Sequence, residues 1–243
     1  MFAALAQLSL CEIVDSAPRA EHAARLQLRR LPLLRLQAGI AGAEGWARDR
    51  VASGSDAGEF ARVAFAELFW LHENPALGLA ALQEAVATAR RATDTAGDGI
   101  RRALDAAFVP LKGYVLPSVL IGADALAYRP HRAVHVELTR STRHDRAADE
   151  LFHWHDQVRI PALLGCRGVA GAWSFATASL FRPGRDVSAP ALRLVIIYLD
   201  GESEAFAADL AALPPREGAE VEQVVFASTL RTIVPWRWDA PGA

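Results

Sequence analysis

An internal repeat constrains the fold of this chain more than any other feature of its sequence. When the sequence is shifted by 129 positions, segment 21–43 falls on segment 150–172, and eight of these 23 positions are identical. Pro32 matches Pro161 and Gly39 matches Gly168 in the same register. Repetition at a fixed offset is typical of chains that carry one supersecondary unit more than once. The repeat therefore predicts an internal duplication.

The order of strand-like and helix-like segments also repeats. In the second half, β-branched and apolar runs alternate with helical patterns in the order β-α-β-β-α-β, which is typical of ferredoxin-like units. The predicted strands are 133–140, 168–181, 191–199 and 221–234, and the predicted helices are 145–164 and 203–213. The first half follows the same order less clearly, with strands at 2–12, 40–49 and 61–70 and helices at 18–37 and 74–91.

The end of the first half is the least regular part of the pattern. Residues 94–107 read as a helical piece broken by glycine before the apolar segment 108–121, so the sequence leaves the path of the fourth strand of this half open. Residues 122–131 are the predicted linker. The sequence thus predicts two domains, a degenerate ferredoxin-like unit at 1–121 and a second ferredoxin-like unit at 132–243.

A four-stranded sheet with helices on one face leaves its other face bare, and an apolar bare face must be covered. Two units in one chain supply a second sheet for this purpose. The predicted fold class is therefore α+β, with two ferredoxin-like β-α-β-β-α-β units fused in one chain and their antiparallel sheets packed face to face as an α+β barrel.

Composition excludes several classes of function. The 26 Lys and Arg residues nearly balance the 28 Asp and Glu residues, whereas a nucleic-acid-binding protein needs a concentrated basic face. The apolar start of the chain lacks a basic region and soon meets Glu12, so we expect no signal peptide, no membrane partner and a cytoplasmic location. The two cysteines, Cys11 and Cys166, give no disulfide framework. Glycine-rich nucleotide motifs and the G-x-S-x-G motif of hydrolases are missing from the sequence.

The run His153-Trp154-His155-Asp156 lies in the first predicted helix of the second half. Two histidines at this spacing point roughly 200° apart around a helix axis, so they cannot bind one metal ion. We therefore predict no metal site here. One of Phe152, Trp154 and His155 is expected to pack on the sheet.

A proline, two glycines and a charged pair in and around this segment have structural interpretations. Pro161 lies inside an apolar helical run and predicts a kink, because proline lacks the N–H donor. Gly39 and Gly168 predict turns into the following strands. Asp156 and Arg159, three residues apart on a helix, predict an ordinary surface ion pair.

This helix carries the residues of a family resemblance. The second half resembles the dimeric α+β barrel superfamily, and within it the EthD-like branch, whose helix has a W-Y-D-x-x-H-x-P type signature. The matching positions are Trp154, His155, Asp156, Arg159, Pro161 and Gly168. Arg159 stands where the signature has histidine, so no role of that histidine is carried over. The resemblance implies cyclases, isomerases, lyases or cofactor-independent monooxygenases that act on apolar molecules, and a possible homodimer.

Alternation along strand 133–140 separates an apolar face from a polar face. We expect Val134, Val136 and Leu138 to pack under the helices, which would point His135, Glu137 and Thr139 into the barrel. The predicted catalytic groups are His135 as the base, Glu137 as its orienting partner, and Arg231 or Tyr198 as stabilisers of an oxyanion. The predicted substrate contacts are Trp173, Phe175, Thr139, Thr229 and Trp154. Alternatively, the three polar residues of the strand form a satisfied polar network between the sheets.

The leading hypothesis is thus an enzyme without an organic cofactor that acts on a small apolar, aromatic or polyketide-like molecule. A second hypothesis is a haem protein similar to the chlorite-dismutase-like proteins, with His153, His155 or His144 as the axial ligand. A third is a non-catalytic binding or assembly protein, in which the first half, without counterparts of His135 and Glu137, only closes the barrel.

Overall fold

The computed structural model describes residues 5–13, 31–36, 39–48, 59–72, 84, 100–129, 131–143, 145–177, 192–216, 218 and 220–233. The chain divides into two compact units, residues 1–109 with 230–243, and residues 110–229. The predicted helix 74–91, apart from residue 84, and the predicted terminal strand residues 178–181 and 234 lie outside the described residues, and so does His144.

The first unit contains an antiparallel sheet. Its elements are β1 (Leu5–Ile13), the short helix α1 (Leu31–Arg35), β2 (Ile40–Ala47), β3 (Val63–Leu71) and the first part of β4 (Ile100–Val115). β1 pairs with β3 on one side and with β4 on the other, and β3 also pairs with β2. The end of β2 pairs with residues 231–232 of β8 (Glu222–Thr232).

The start of β4 corrects one prediction. Residues 100–107 belong to a strand and not to the predicted helical piece. The physical reason is that this segment pairs with β1 over residues 100–108, so the backbone groups of β1 find their partners there. Long-range pairing of this kind outweighs local helix propensity.

The second unit has the element order predicted for the second half. β5 (Ala133–Ser141) is followed by α2 (Arg146–Trp154), a π-helix at His155–Arg159, α3 (Ile160–Leu164) and β6 (Val169–Thr177). β7 (Leu192–Leu199), α4 (Ser203–Ala212) and β8 complete the unit. β7 pairs antiparallel with both β5 and β6. The fold class is therefore confirmed as α+β with antiparallel strands.

The helices of the second unit cover one face of this sheet. Ile160 and Leu163 of α3 and Phe206 of α4 pack on the odd-numbered residues of β5 and β7, among them Ala133 and Ile197. The predicted orientation of β5 is wrong, because His135, Glu137 and Thr139 share this helix-covered face with Ala133.

The kink predicted at Pro161 takes the form of a π turn directly before it. The Ile160 N–H bonds to the carbonyl of His155, five residues back. Pro161 follows as a helical residue that has no N–H to donate. Asp145 caps the start of the whole helical segment, since its side chain accepts from the N–H groups of residues 147 and 148.

The glycines predicted to form turns do so in both units. Gly39 has φ of 118° and Gly168 has φ of 79°, values that side chains with a Cβ rarely adopt. Each precedes a strand whose pairing register shifts shortly afterwards, between Ile40 and Gly42 in β2 and between Val169 and Gly171 in β6.

The predicted linker is structured. Residues Ala123–Tyr128 form a 3₁₀ helix, and the side chain of Leu126 is fully buried. The two predicted domains stay a prediction, and the compact units divide at 109/110 and 229/230, inside β4 and β8. No helix in the described part of the chain has both the length and the apolar character that a bilayer crossing requires.

Candidate active site

A buried ion cluster surrounds Glu137 beneath the helices of the second unit. Its carboxylate lies 2.7 Å from a guanidinium nitrogen of Arg159, 3.1 Å from one of Arg216 and 3.5 Å from His135 Nε2. Burial by itself raises the pKa of Glu137, but His135, Arg216 and Arg159 together hold that pKa far below its usual range. Glu137 is therefore an ionised acceptor whose partners are other protein groups.

His135 is held in the same layer. Its Nδ1 lies 3.0 Å from Thr229 Oγ1, and its ring packs 5.2 Å from that of Phe206. The helices thus cover the predicted base. These residues form the polar network of the alternative, but it is not fully satisfied, since His135 Nε2 and Arg159 Nε have no hydrogen-bond partner. The network lies between sheet and helices, because Arg159 reaches from the helix to Glu137.

Next to this cluster, the second unit contains a pocket with a free volume of about 150 Å³. A cavity of that order holds a molecule the size of benzene. The pocket lies beside α2 and the ends of the strands. Its apolar lining includes Ala148, Leu151, Phe152 and Leu192. Its polar lining includes His155, Arg193 and Glu222, whereas His135 and Glu137 do not line it.

His155 and Glu222 form a buried pair on the pocket wall. The π turn begins at His155, and its Nε2 lies 2.8 Å from Glu222 Oε2. The other carboxylate oxygen accepts a hydrogen bond of 2.6 Å from Thr139 Oγ1. Although burial raises the pKa of Glu222, His155, Thr139 and Arg216 lower it, so the carboxylate is ionised.

The protonation of His155 follows from its surroundings. Burial lowers the pKa of His155, and this outweighs the opposite effect of Glu222, so the imidazole is neutral near pH 7. Its one proton lies on Nε2, because only an N–H can bond to the ionised carboxylate. Nδ1 then carries a lone pair, and this atom is buried with no hydrogen-bond partner. A carboxylate that orients an imidazole in this way leaves the opposite nitrogen as a base.

Arg193 provides the positive group of the pocket. Its guanidinium donates to Asp156 at 2.6 Å and to the Phe152 carbonyl at 3.2 Å, and it lies 4.2 Å from the centre of the Phe152 ring. Its Nε–H is buried and has no acceptor.

Tyr114 is a further titratable group near Asp156. Burial and the nearby Asp156 carboxylate raise the pKa of Tyr114 to about 12, so this hydroxyl stays protonated.

The structure separates the predicted site residues into groups. His135, Glu137, Thr139 and Thr229 lie in the polar layer under the helices. Trp173, Phe175 and Tyr198 lie on the opposite face of the sheet, since they alternate with Ala172, Ser174 and Ile197 along β6 and β7. Tyr198 packs 4.7 Å from the His131 ring, and Trp173 donates to the Ala123 carbonyl at 3.0 Å.

The remaining two predicted site residues are Arg231, a predicted catalytic group, and Trp154, a predicted substrate contact. Arg231 is exposed and belongs to the first unit. Trp154 is partly exposed and lies with its ring edge-on to His155, at 5.2 Å between ring centres. The catalytic and substrate-binding roles of all nine residues stay predictions, but His135, Glu137 and Tyr198 do not share one face of the sheet.

Sequence reasoning missed Arg193, Arg216 and Glu222. A signal existed for Arg193, because it is the one charged residue in the otherwise apolar strand LRLVIIYL. A charge inside a buried strand needs a partner and indicates a polar site. The surface pair predicted for Asp156 and Arg159 is wrong, since Asp156 binds Arg193 and Arg159 binds Glu137.

The described residues contain no group of three His, Cys, Asp or Glu side chains placed to hold a metal ion. Haem is larger than most drug-sized ligands, whose pockets are about 300–1,000 Å³. The free volume beside His155 is about 150 Å³, and its Nε2 is bonded to Glu222. His153 is exposed. These residues do not fit a haem group.

Solved structures share the fold. A protein named as a chlorite dismutase matches 96% of this chain and 95% of its own, with 13% identity and a TM-score of 0.56. A Fusobacterium nucleatum protein named as a monooxygenase matches 96% and 93%, with 7% identity and a TM-score of 0.55. A variant of Rhodococcus jostii DypB in complex with heme matches 95% and 93%, with 10% identity and a TM-score of 0.54.

At these identities the likeness shows the fold alone, the ferredoxin-like α+β fold of these proteins. No family model matches the sequence, and no curated protein matches it. The EthD-like branch is therefore not confirmed, whereas the ferredoxin-like class is.

Proposed function

We propose that this protein is an enzyme, similar to EthD-like proteins, that moves a proton on a small ring-sized molecule in the pocket of the second unit. The observation that carries the proposal is the buried His155–Glu222 pair on the pocket wall, at 2.8 Å, with Nδ1 of His155 unbonded. Neighbours in fold include proteins named as chlorite dismutase and monooxygenase, which is consistent with an enzyme.

The proposed step is abstraction of a proton from a carbon next to a carbonyl group. Nδ1 of His155 accepts the proton, and the electron pair of the broken C–H bond moves to the carbonyl oxygen as an enolate. Glu222 stabilises the imidazolium that forms, and Arg193 is the cationic residue of the pocket lining that balances the charge on the oxygen. An enolate of this kind can be reprotonated, can eliminate or cyclise, or can react with oxygen, which connects this step with the isomerase, lyase, cyclase and monooxygenase classes of the resemblance.

The test uses cyclohexanone, a ring-sized ketone, in D₂O. Proton NMR follows the exchange of its α-protons in the presence of the protein. We expect exchange above the buffer rate, and His155→Gln should reduce it by about 10²-fold or more, the usual contribution of a positioned base. Glutamine keeps an N–H for Glu222, so the variant is expected to fold.

His153→Gln is the matched control, because His153 is exposed on the same helical segment two residues away. It should exchange cyclohexanone like the natural protein. Exchange no faster than in buffer, or equal exchange in His155→Gln, would contradict the proposed base. Binding of cyclohexanone without exchange would support the non-catalytic alternative instead.

Haem binding is the second candidate, and it is supported by the DypB structure in complex with heme. The described residues do not favour it, for the reasons of volume and hydrogen bonding given above. The absorbance spectrum of the purified protein after incubation with hemin decides the matter, because a bound haem gives a sharp Soret band that a His155→Gln variant should then alter.

A further inference from the structure

The charges around the pocket balance one another. Among the described residues of this layer, three guanidinium groups face three carboxylates. Arg193 pairs with Asp156, and Arg159 pairs with Glu137. Arg216 lies 3.1 Å from Glu137 and 3.9 Å from Glu222. The layer therefore has no surplus charge, positive or negative.

His155 adds no charge to this balance in its neutral form. The charged groups that face it come from three elements: Glu222 from β8, Arg193 from β7 and Arg216 from the segment after α4. Asp156 follows it on its own helix and is neutralised by Arg193. Protonating His155 would thus give the layer one positive charge, and nothing described in the layer would offset it.

The balance limits the ligands that the pocket can take. An anion placed there would lie beside Glu222 without a counter-ion of its own, which is unfavourable. A neutral ligand keeps the balance, and a proton that moves from it to Nδ1 also keeps the balance, because an imidazolium and an enolate form together.

We propose that the pocket binds uncharged ring-sized molecules with one hydrogen-bonding oxygen, and that an anionic analogue enters only together with a proton on His155. This inference rests on the proposed function for the position of the site, and it names the class of substrate as neutral ketones or phenols. When an anionic analogue binds, the atoms and charges also balance, since one proton from solvent becomes bonded to Nδ1 of His155.

The test compares benzamide with benzoate, two probes of nearly equal shape that differ in charge. Isothermal titration calorimetry measures both between about pH 7 and about pH 8, above the ordinary histidine pKa, below which the pKa of His155 is shifted. We expect the Kd of benzamide to change less than about twofold, and that of benzoate to rise by up to about tenfold per pH unit, as uptake of one proton requires. Titrations in buffers with different heats of ionisation should show that proton directly.

Variants assign the effects to residues. His155→Gln should keep benzamide binding and remove the proton uptake of benzoate, while His153→Gln should behave like the natural protein. Ala148→Leu fills the pocket and should weaken both probes, which places them in it.

Two outcomes would overturn the inference, and they differ. If benzoate binds as tightly as benzamide at about pH 8 without proton uptake, the class of substrate is wrong, although the pocket and its base can still stand. If neither probe binds and cyclohexanone does not exchange, the proposed site itself is wrong.

Discussion

The first strands of the two units make the most instructive comparison in the molecule. In the first unit Leu5 of β1 lies opposite Leu71 of β3, and in the second unit Ala133 of β5 lies opposite Leu199 of β7. A shift of 128 residues relates both members of these pairs. β1 and β5 therefore occupy the same position in their units. Their offset of 128 residues is one less than the offset of 129 residues between segments 21–43 and 150–172.

By this correspondence, Gln7 matches His135 and Ser9 matches Glu137. The first unit therefore has polar counterparts of these residues. Gln7 and Ser9 both donate to Asp105 Oδ1 of β4, at 2.7 Å and 2.8 Å, and Arg102 of the same strand lies 3.5 Å from Asp105 Oδ2, so this carboxylate is bound within the sheet. Glu137 instead binds groups from the covering segments. The same strand position accommodates a buried polar side chain in both units, and the charged partners above the sheet distinguish the second unit.

The largest expected effect comes from removing the charge of Glu137 in the second unit. Glu137→Gln removes the carboxylate that Arg159 and Arg216 share, and should cost about 3–5 kcal/mol because two buried guanidinium groups lose their common partner. Urea denaturation followed by circular dichroism measures the change. A variant as stable as the natural protein would show that these ion pairs contribute nothing net.

A change in pH sharpens the comparison, because Gln7 and Ser9 do not titrate while His155 and its neighbours do. The pKa of His155 is lowered in the folded state, so the unfolded chain binds that proton more readily. Stability is therefore lost as the pH falls below about 6.5, by up to about 1.4 kcal/mol per pH unit, until the lowered pKa is reached. Glu137 and Glu222, with lowered pKa values, add a further loss below about pH 4.3.

The measurement is the free energy of unfolding of the natural protein and of His155→Gln across this range. The natural protein should lose stability relative to His155→Gln as the pH falls from neutral to about 5. A constant difference would mean that His155 titrates alike in both states, and the neutral imidazole assigned above would be wrong.

The smallest expected effect comes from changing Ser9 in the first unit. Ser9→Ala removes one donor to Asp105, which keeps its bond to Gln7, so the loss should be about 1 kcal/mol. The same urea measurement applies. A loss as large as that of Glu137→Gln would remove the distinction between the two strands.

Much of the fold could be predicted from the sequence. Runs of β-branched and aromatic residues located β5, β7 and β8, and the helical pattern between them located the helices. The start of β4 could not be predicted, since its strand conformation depends on pairing with β1, about ninety residues away in sequence.

The site could be predicted only in part, for reasons visible in β5. Alternation shows that a strand has two unlike faces, but it does not show which of them the helices cover. Helices need an apolar surface to pack on, and charged groups beneath them are costly, so the alternation predicts that Val134 and Val136 face the helices. Arg159 and Arg216 remove that cost, and they lie 22 and 79 residues from Glu137 in sequence. The pair of His155 and Glu222 spans 67 residues and is equally invisible to local pattern.

The π turn at His155–Arg159 has a consequence for how such a site can change. A π turn holds one residue more than an α turn, and each residue of a helix turns the chain by about 100°. Losing a single residue there would turn the preceding helix, and His155 with it, away from Glu222, while Arg159 would keep its place above Glu137. One deletion or insertion, with no substitution in the sheet, is thus enough to exchange the side chain that this segment offers to a ligand.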